Sequence, residues 1–121
     1  MTSIKSSKAK GRRLQNYVRD WLRKIFCDTT KVPRLKEDDI KSQTMGMTGE
    51  DIVLSPRAQE VIPYSFECKN QEKISIWKAL EQSESNANGR CPVVIIKRNR
   101  SKTYAVLEFR QFAKLIGSDY E

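Results

Sequence analysis

The stretch Tyr64-Ser65-Phe66-Glu67-Cys68-Lys69 decides the reading of this chain. It is aromatic and alternating, follows Pro63, and runs into the polar Asn70-Gln71-Glu72-Lys73, which is the pattern of a short strand. Side chains alternate across a strand, so Phe66 and Cys68 share one face while Glu67 and Lys69 share the other. A carboxylate and an ammonium therefore stand together at a strand end. Sixteen residues upstream, Asp51 opens a second strand-like run, Asp51-Ile52-Val53-Leu54. Two acids, with a lysine two residues after the second, form a compact set for binding a divalent metal and activating water. An acid-x-Lys pair alone usually marks an exposed polar strand face, so the spacing does not decide by itself.

Working outward, the loop Met45-Gly46-Met47-Thr48-Gly49 precedes Glu50-Asp51, and its two glycines permit unusual backbone angles or close approach of a ligand. Residues 39–44 read as a weak first strand. Ser55-Pro56 is a helix start, a serine cap with proline at the first helical position, for a single turn through residue 62. Upstream, residues 10–26 are helical in pattern: Leu14, Val18, Trp21, Leu22 and Ile25 form one stripe, with Arg12, Gln15, Arg19 and Arg23 largely elsewhere. Residues 1–9 read as a flexible basic arm, leaving 10–121 as a single domain. Downstream, Ser75 precedes a helix over residues 76–88 with Ile76, Leu80, Ser83 and Ala87 as its packing stripe, closed by Gly89. Val93-Val94-Ile95-Ile96 is a strand covered on both faces, and a turn at 99–102 leads to a partner strand over 103–108. Phe109, Phe112, Leu115 and Ile116 would dock a last helix on the sheet. The expected class is α/β, a mixed central sheet flanked by helices in the order α-β-β-β-α-β-β-α.

A chain of 121 residues with 38% hydrophobic content supports one small core. It has no secretory signal pattern and no run approaching a membrane span, so no membrane partner is expected. Three scattered cysteines and no histidine argue against structural zinc and fit a reducing, cytoplasmic setting. Any metal would have oxygen ligands, pointing to magnesium, with manganese able to substitute. The net charge of +8 is uneven: residues 1–26 hold eight Lys/Arg against one acid, and Lys97, Arg98, Arg100 and Lys102 form a second cluster. Such clusters suit a phosphate-bearing partner, although a solvated surface explains charge alone equally well. The candidate DNA contacts are Lys10, Arg12, Arg13, Arg19, Thr44, Thr48, Arg98, Arg100 and Lys102.

Asp51 and Glu67 on neighbouring strands are the candidate metal ligands, with the Cys68 backbone carbonyl between the catalytic side chains as a third. Lys69 can orient or activate water or stabilise developing charge. The sequence leaves these roles open.

Taken with Lys10-Gly11-Arg12-Arg13-Leu14-Gln15, the run from Gly49 to Pro56, Phe66-Glu67-Cys68-Lys69-Asn70-Gln71, Ile76-Trp77-Lys78-Ala79-Leu80-Glu81-Gln82 and Arg98-Asn99-Arg100-Ser101-Lys102, this set resembles the PD-(D/E)XK nuclease superfamily. More narrowly, it resembles the archaeal-type Holliday junction resolvases and their phage-encoded relatives, over residues 8–116. The resemblance implies a restriction-endonuclease-like fold and a magnesium-dependent endonuclease without a small-molecule cofactor, cutting branched double-stranded DNA as a homodimer, in the host cytoplasm if phage-encoded. It places metal ligation on Asp51 and Glu67 and catalytic assistance on Lys69. Where those enzymes carry a first-helix glutamate this chain has Gln15, and Glu50 is the residue that can compensate. The rival readings are another nuclease of the same fold, acting on flaps, nicks or linear duplex, and a non-catalytic basic nucleic-acid-binding module. Gln82 and Trp77 read as an ordinary helix-surface amide and a core or dimer residue.

Overall fold

The computed structural model describes residues 4–117. Its elements are α1 (Ile4–Phe26), β1 (Ile40–Ser42), β2 (Ile52–Leu54), α2 (Pro56–Val61), β3 (Tyr64–Asn70), α3 (Ile76–Asn86), β4 (Cys91–Lys97), β5 (Tyr104–Leu107) and α4 (Phe109–Gly117), with a single 3-10 turn at Glu37–Asp39. The mixed α/β class and the order of the main elements are those expected. The sheet is in two parts. β1 and β2 form an antiparallel pair, while β3, β4 and β5 form a second sheet in that order. β3 and β4 run parallel with α3 as the crossover, and β5 returns antiparallel to β4. One backbone bond joins the two parts, from Asp51 N–H to the Phe66 carbonyl at 3.1 Å.

α1 packs on one face of this framework. Leu14, Val18 and Leu22, four residues apart, are buried against Ile40, Ile52, Leu54, Cys68, Val93 and Ile95. Trp21 and Ile25, expected on the same stripe, stay 49% and 41% exposed because they lie on its flank. The helix also begins earlier than its periodicity suggests. Residues 4–9, read as a flexible arm, continue α1, since Lys5, Lys8 and Ala9 are good helix formers and no proline interrupts them. Residues 1–3 lie outside the described part.

α3 covers the opposite face. Its buried residues are Ala79 and Ser83, and Ala87 at its C-terminal end continues them, again at spacings of four. Small side chains let the helix axis come close to β4, which turns Ile76 outward and leaves Leu80 only half-buried. Trp77, read as core or dimer contact, is 79% exposed, so it is not core. α4 departs further from expectation. Phe109, Phe112, Leu115 and Ile116 are all exposed rather than docked on the sheet.

Ser55 joins the two halves of the β2 region. Its hydroxyl accepts from Ala58 N–H at 3.1 Å, capping α2, and donates to Asp39 Oδ1 at 2.6 Å. Replacing Ser55 with Ala is expected to lower stability by about 1–2 kcal/mol, read as a shift of the urea midpoint with unchanged slope. An unchanged midpoint would show that the cap does not hold this junction.

Candidate active site

Asp51 immediately precedes β2 and is tied down at three points. Its N–H reaches Phe66 O, its carbonyl accepts from Gln43 N–H at 2.8 Å, and its Oδ2 accepts from Cys68 N–H at 2.7 Å. The last bond aims the Asp51 carboxylate at the middle of β3, beside Glu67. Glu67 faces α3 and is buried, with Oε2 lacking any hydrogen-bond partner. From the other side of the corner comes Gln15 on α1, also buried, with its Oε1 unpartnered. Asp51, Glu67, Cys68, Lys69 and Gln15 line a single cleft of about 420 Å³.

The electrostatics follow from that crowding. Burial raises the Asp51 carboxyl above its ordinary value, against the Cys68 N–H bond, the Lys69 charge and the neighbouring Glu67 and Gln15 side chains. Burial and then the Asp51 charge push Glu67 up to about 7, against the Lys69 charge and Asn86. Burial, then the two acids, also raises the Cys68 thiol, which leaves it a neutral, inert wall of the cleft. Two carboxylates with depressed acidity and an orphaned amide oxygen form an all-oxygen set that lacks a compensating cation beyond Lys69. These residues fit a hard divalent cation. The set is lean, however: among the described residues no three of His, Cys, Asp and Glu cluster as a metal cage.

Glu50 explains why. Expected as a possible substitute for a first-helix acid, it instead forms a mostly buried ion pair with Arg90, whose other arm donates to Tyr64 O at 3.0 Å. Glu50 does not line the cleft. Burial is the largest influence on its carboxyl, raising it despite Arg90.

The expected DNA contacts scatter. Thr44 lines the cleft, whereas Thr48 is exposed outside its lining. Lys10 is buried, and its carbonyl accepts from Asn70 Nδ2 at 3.0 Å, so it braces α1 against β3. Arg19 is engaged with Asp20 at 2.9 Å and Asn16 at 3.2 Å. Arg12, Arg98 and Arg100 are exposed, and Arg13 and Lys102 meet in a neighbouring groove. The cleft also includes Ser7, Lys8, Gly11, Asn70 and Gln82, none of which the sequence reading placed at the site. Lys8, Gly11 and Gln15 recur at helical spacings of three and four, a signal hidden once residues 1–9 are read as an arm. Gly11 sits where the loop packs on the helix: a Cβ there would lie 3.4 Å from Met45 Cε.

Over residues 6–120 the chain matches the family described as "phage putative PDDEXK endonuclease". The chain belongs to this family. The match agrees with the superfamily and the phage relation expected from the acid and lysine pattern, and with nuclease activity on DNA as the family's chemistry. Members of the superfamily typically use divalent metals. No curated protein and no solved structure matches the chain. None of its described helices is long and apolar enough to cross a membrane.

The raised Glu67 carboxyl makes a stability prediction for the metal-free protein. Its folded value lies above the ordinary 4.5, so the folded state favours the protonated acid. That contribution is full below the ordinary value and is lost as pH rises through about 7. Glu67→Gln should therefore gain on wild type by about 2 kcal/mol between about pH 5 and pH 8.5, in urea titrations with chelator. A difference independent of pH would show that Glu67 titrates normally.

Proposed function

We propose that this protein is a structure-selective DNA endonuclease that requires magnesium, accepts manganese, and cuts four-way junctions as a homodimer. The observation that carries the reading is the convergence of Asp51 and Glu67 on one cleft through the Cys68 N–H bond to Asp51. In this reading Asp51, Glu67, Gln15 Oε1 and the Cys68 carbonyl hold the cation. When bound, the cation acidifies water and neutralises charge on the phosphate. Lys69 offsets the repulsion between the two acids and donates to the charge that develops on the phosphate oxygens. Glu50 holds the corner together through Arg90 and takes no part in the chemistry. The cut is a direct hydrolysis, with water as the nucleophile and no enzyme-linked intermediate.

A two-fold junction needs two matching sites, which is the geometric reason for a dimer. The exposure of Phe109, Phe112 and Ile116 on α4 supports it, since several exposed large side chains on one short helix suit a surface that a second copy covers.

A synthetic four-way junction tests this. Paired symmetric nicks that need magnesium are expected, with Asp51→Asn and Lys69→Ala each slowed about 10²–10³-fold or more. Glu50→Gln should cut within about threefold of wild type while melting earlier. Equal cutting of linear duplex would move the protein to another branch of the nucleases. Unchanged cleavage in Asp51→Asn, or salt-sensitive binding with no cleavage, would leave a binding module.

A further inference from the structure

A second groove adjoins the cleft and has a different character. It holds about 550 Å³ between α1 and the turn that links β4 to β5, lined chiefly by Arg13, Tyr17, Asn70, Lys97 and Lys102. Asn70 also lines the cleft with Asp51 and Glu67, so the two recesses share a wall. Its Oδ1 is buried and unpartnered while its Nδ2 is held by the Lys10 carbonyl, leaving an acceptor at the shared wall. No acidic residue lines this groove. Arg13 and Tyr17 are four apart on α1 and so lie on one face of the helix. Lys97 Nζ donates to Ser101 O at 2.8 Å and Arg98 O at 3.2 Å, which fixes the turn that presents Lys102. Among the described residues neither Arg13 nor Lys102 has an acidic partner. Tyr17 is 49% exposed, a large aromatic surface left open among cations.

Phosphates explain the cations but not the ring. In duplex DNA each base face is covered by its neighbours, so an aromatic side chain in a recess has nothing to stack on. Unpaired nucleotides offer both a charged backbone and an open base face, and interleaved cations and aromatics are the way proteins hold them. We infer that this groove takes an unpaired stretch of the DNA strand leading out of the cleft, with a base on Tyr17 and phosphates on Arg13 and Lys102. The inference rests on the endonuclease reading of the cleft but not on four-way junctions as the substrate. It assigns to the substrate a few nucleotides freed from pairing beside the cut, at a flap or an opened branch point.

Binding without cleavage tests it, with the full chain in calcium and two dye-labelled probes: a blunt duplex, and the same duplex carrying an oligothymidine arm of about ten nucleotides. Wild type should hold the armed probe about tenfold tighter than the blunt one. Tyr17→Ala should remove most of that gain and leave blunt-duplex affinity within about twofold, while Tyr17→Trp keeps it. Lys102→Ala should weaken the armed probe and reduce the salt dependence of its binding. The proposal is overturned if the arm adds nothing, or if Tyr17→Ala weakens both probes alike or neither. Loss of blunt-duplex binding in Tyr17→Ala with a normal melting temperature also overturns it. Absence of magnesium-dependent cleavage, with the Tyr17-dependent gain intact, would remove the endonuclease reading and leave the groove assignment standing.

Discussion

Two carboxylates that share a poorly hydrated corner repel each other and resist ionisation together. Burying Asp51 and Glu67 in one corner is the constraint on which the structure turns, since burial raises both acids and the Asp51 charge then adds to it at Glu67, which reaches about 7. A fold tolerates such a pair only where other forces hold it in place. Here the Cys68 N–H bond, the β2–β3 backbone link at Asp51 and the Glu50–Arg90 pair do so. The unpartnered oxygens on Gln15 and Glu67 belong to the same economy, because a buried acceptor without a donor destabilises the protein until something positive arrives.

The arrangement also explains why each element is where it is. The β3–α3–β4 unit supplies a rigid parallel pair, so Glu67 and Lys69 project from a strand whose register is set against Val94 and Ile96. α1 closes the corner with Gln15 while its apolar stripe packs below. The small residues of α3 let the helix lie close over Glu67 and exclude water from it. Rigid elements place the acids, and the glycine-bearing loop before Glu50 lines another side of the cleft.

Much of this was legible in the sequence. The alternation in Tyr64–Asn70 put Glu67 and Lys69 on one face, and the apolar run around Val94 marked a strand buried on both sides. Asp51 at the start of β2 was readable as well. What the sequence could not convey came from tertiary choices. The pairing of Glu50 with Arg90 joins residues forty positions apart, and no local pattern announces it. The stripe of α3 kept Ser83 and Ala87, but in its first half closeness to the sheet selected Ala79 over Ile76 and Leu80. The exposed face of α4 has the same amphipathic pattern as a docked helix, and periodicity alone does not tell which surface covers it. The early start of α1 was hidden by a run of lysines and serines, which a disordered arm shares with a solvated helix.

The central claim is that Asp51 and Glu67 hold one cation between them, and calorimetric titration of manganese near neutral pH tests it most directly. Because Glu67 is about half protonated near pH 7 in the metal-free protein, binding should expel a fraction of a proton that grows as pH falls, seen as a heat that depends on the buffer. Asp51→Asn and Glu67→Gln should each abolish that binding. Manganese binding with equal affinity in wild type and both variants, and with no proton released, would contradict the account.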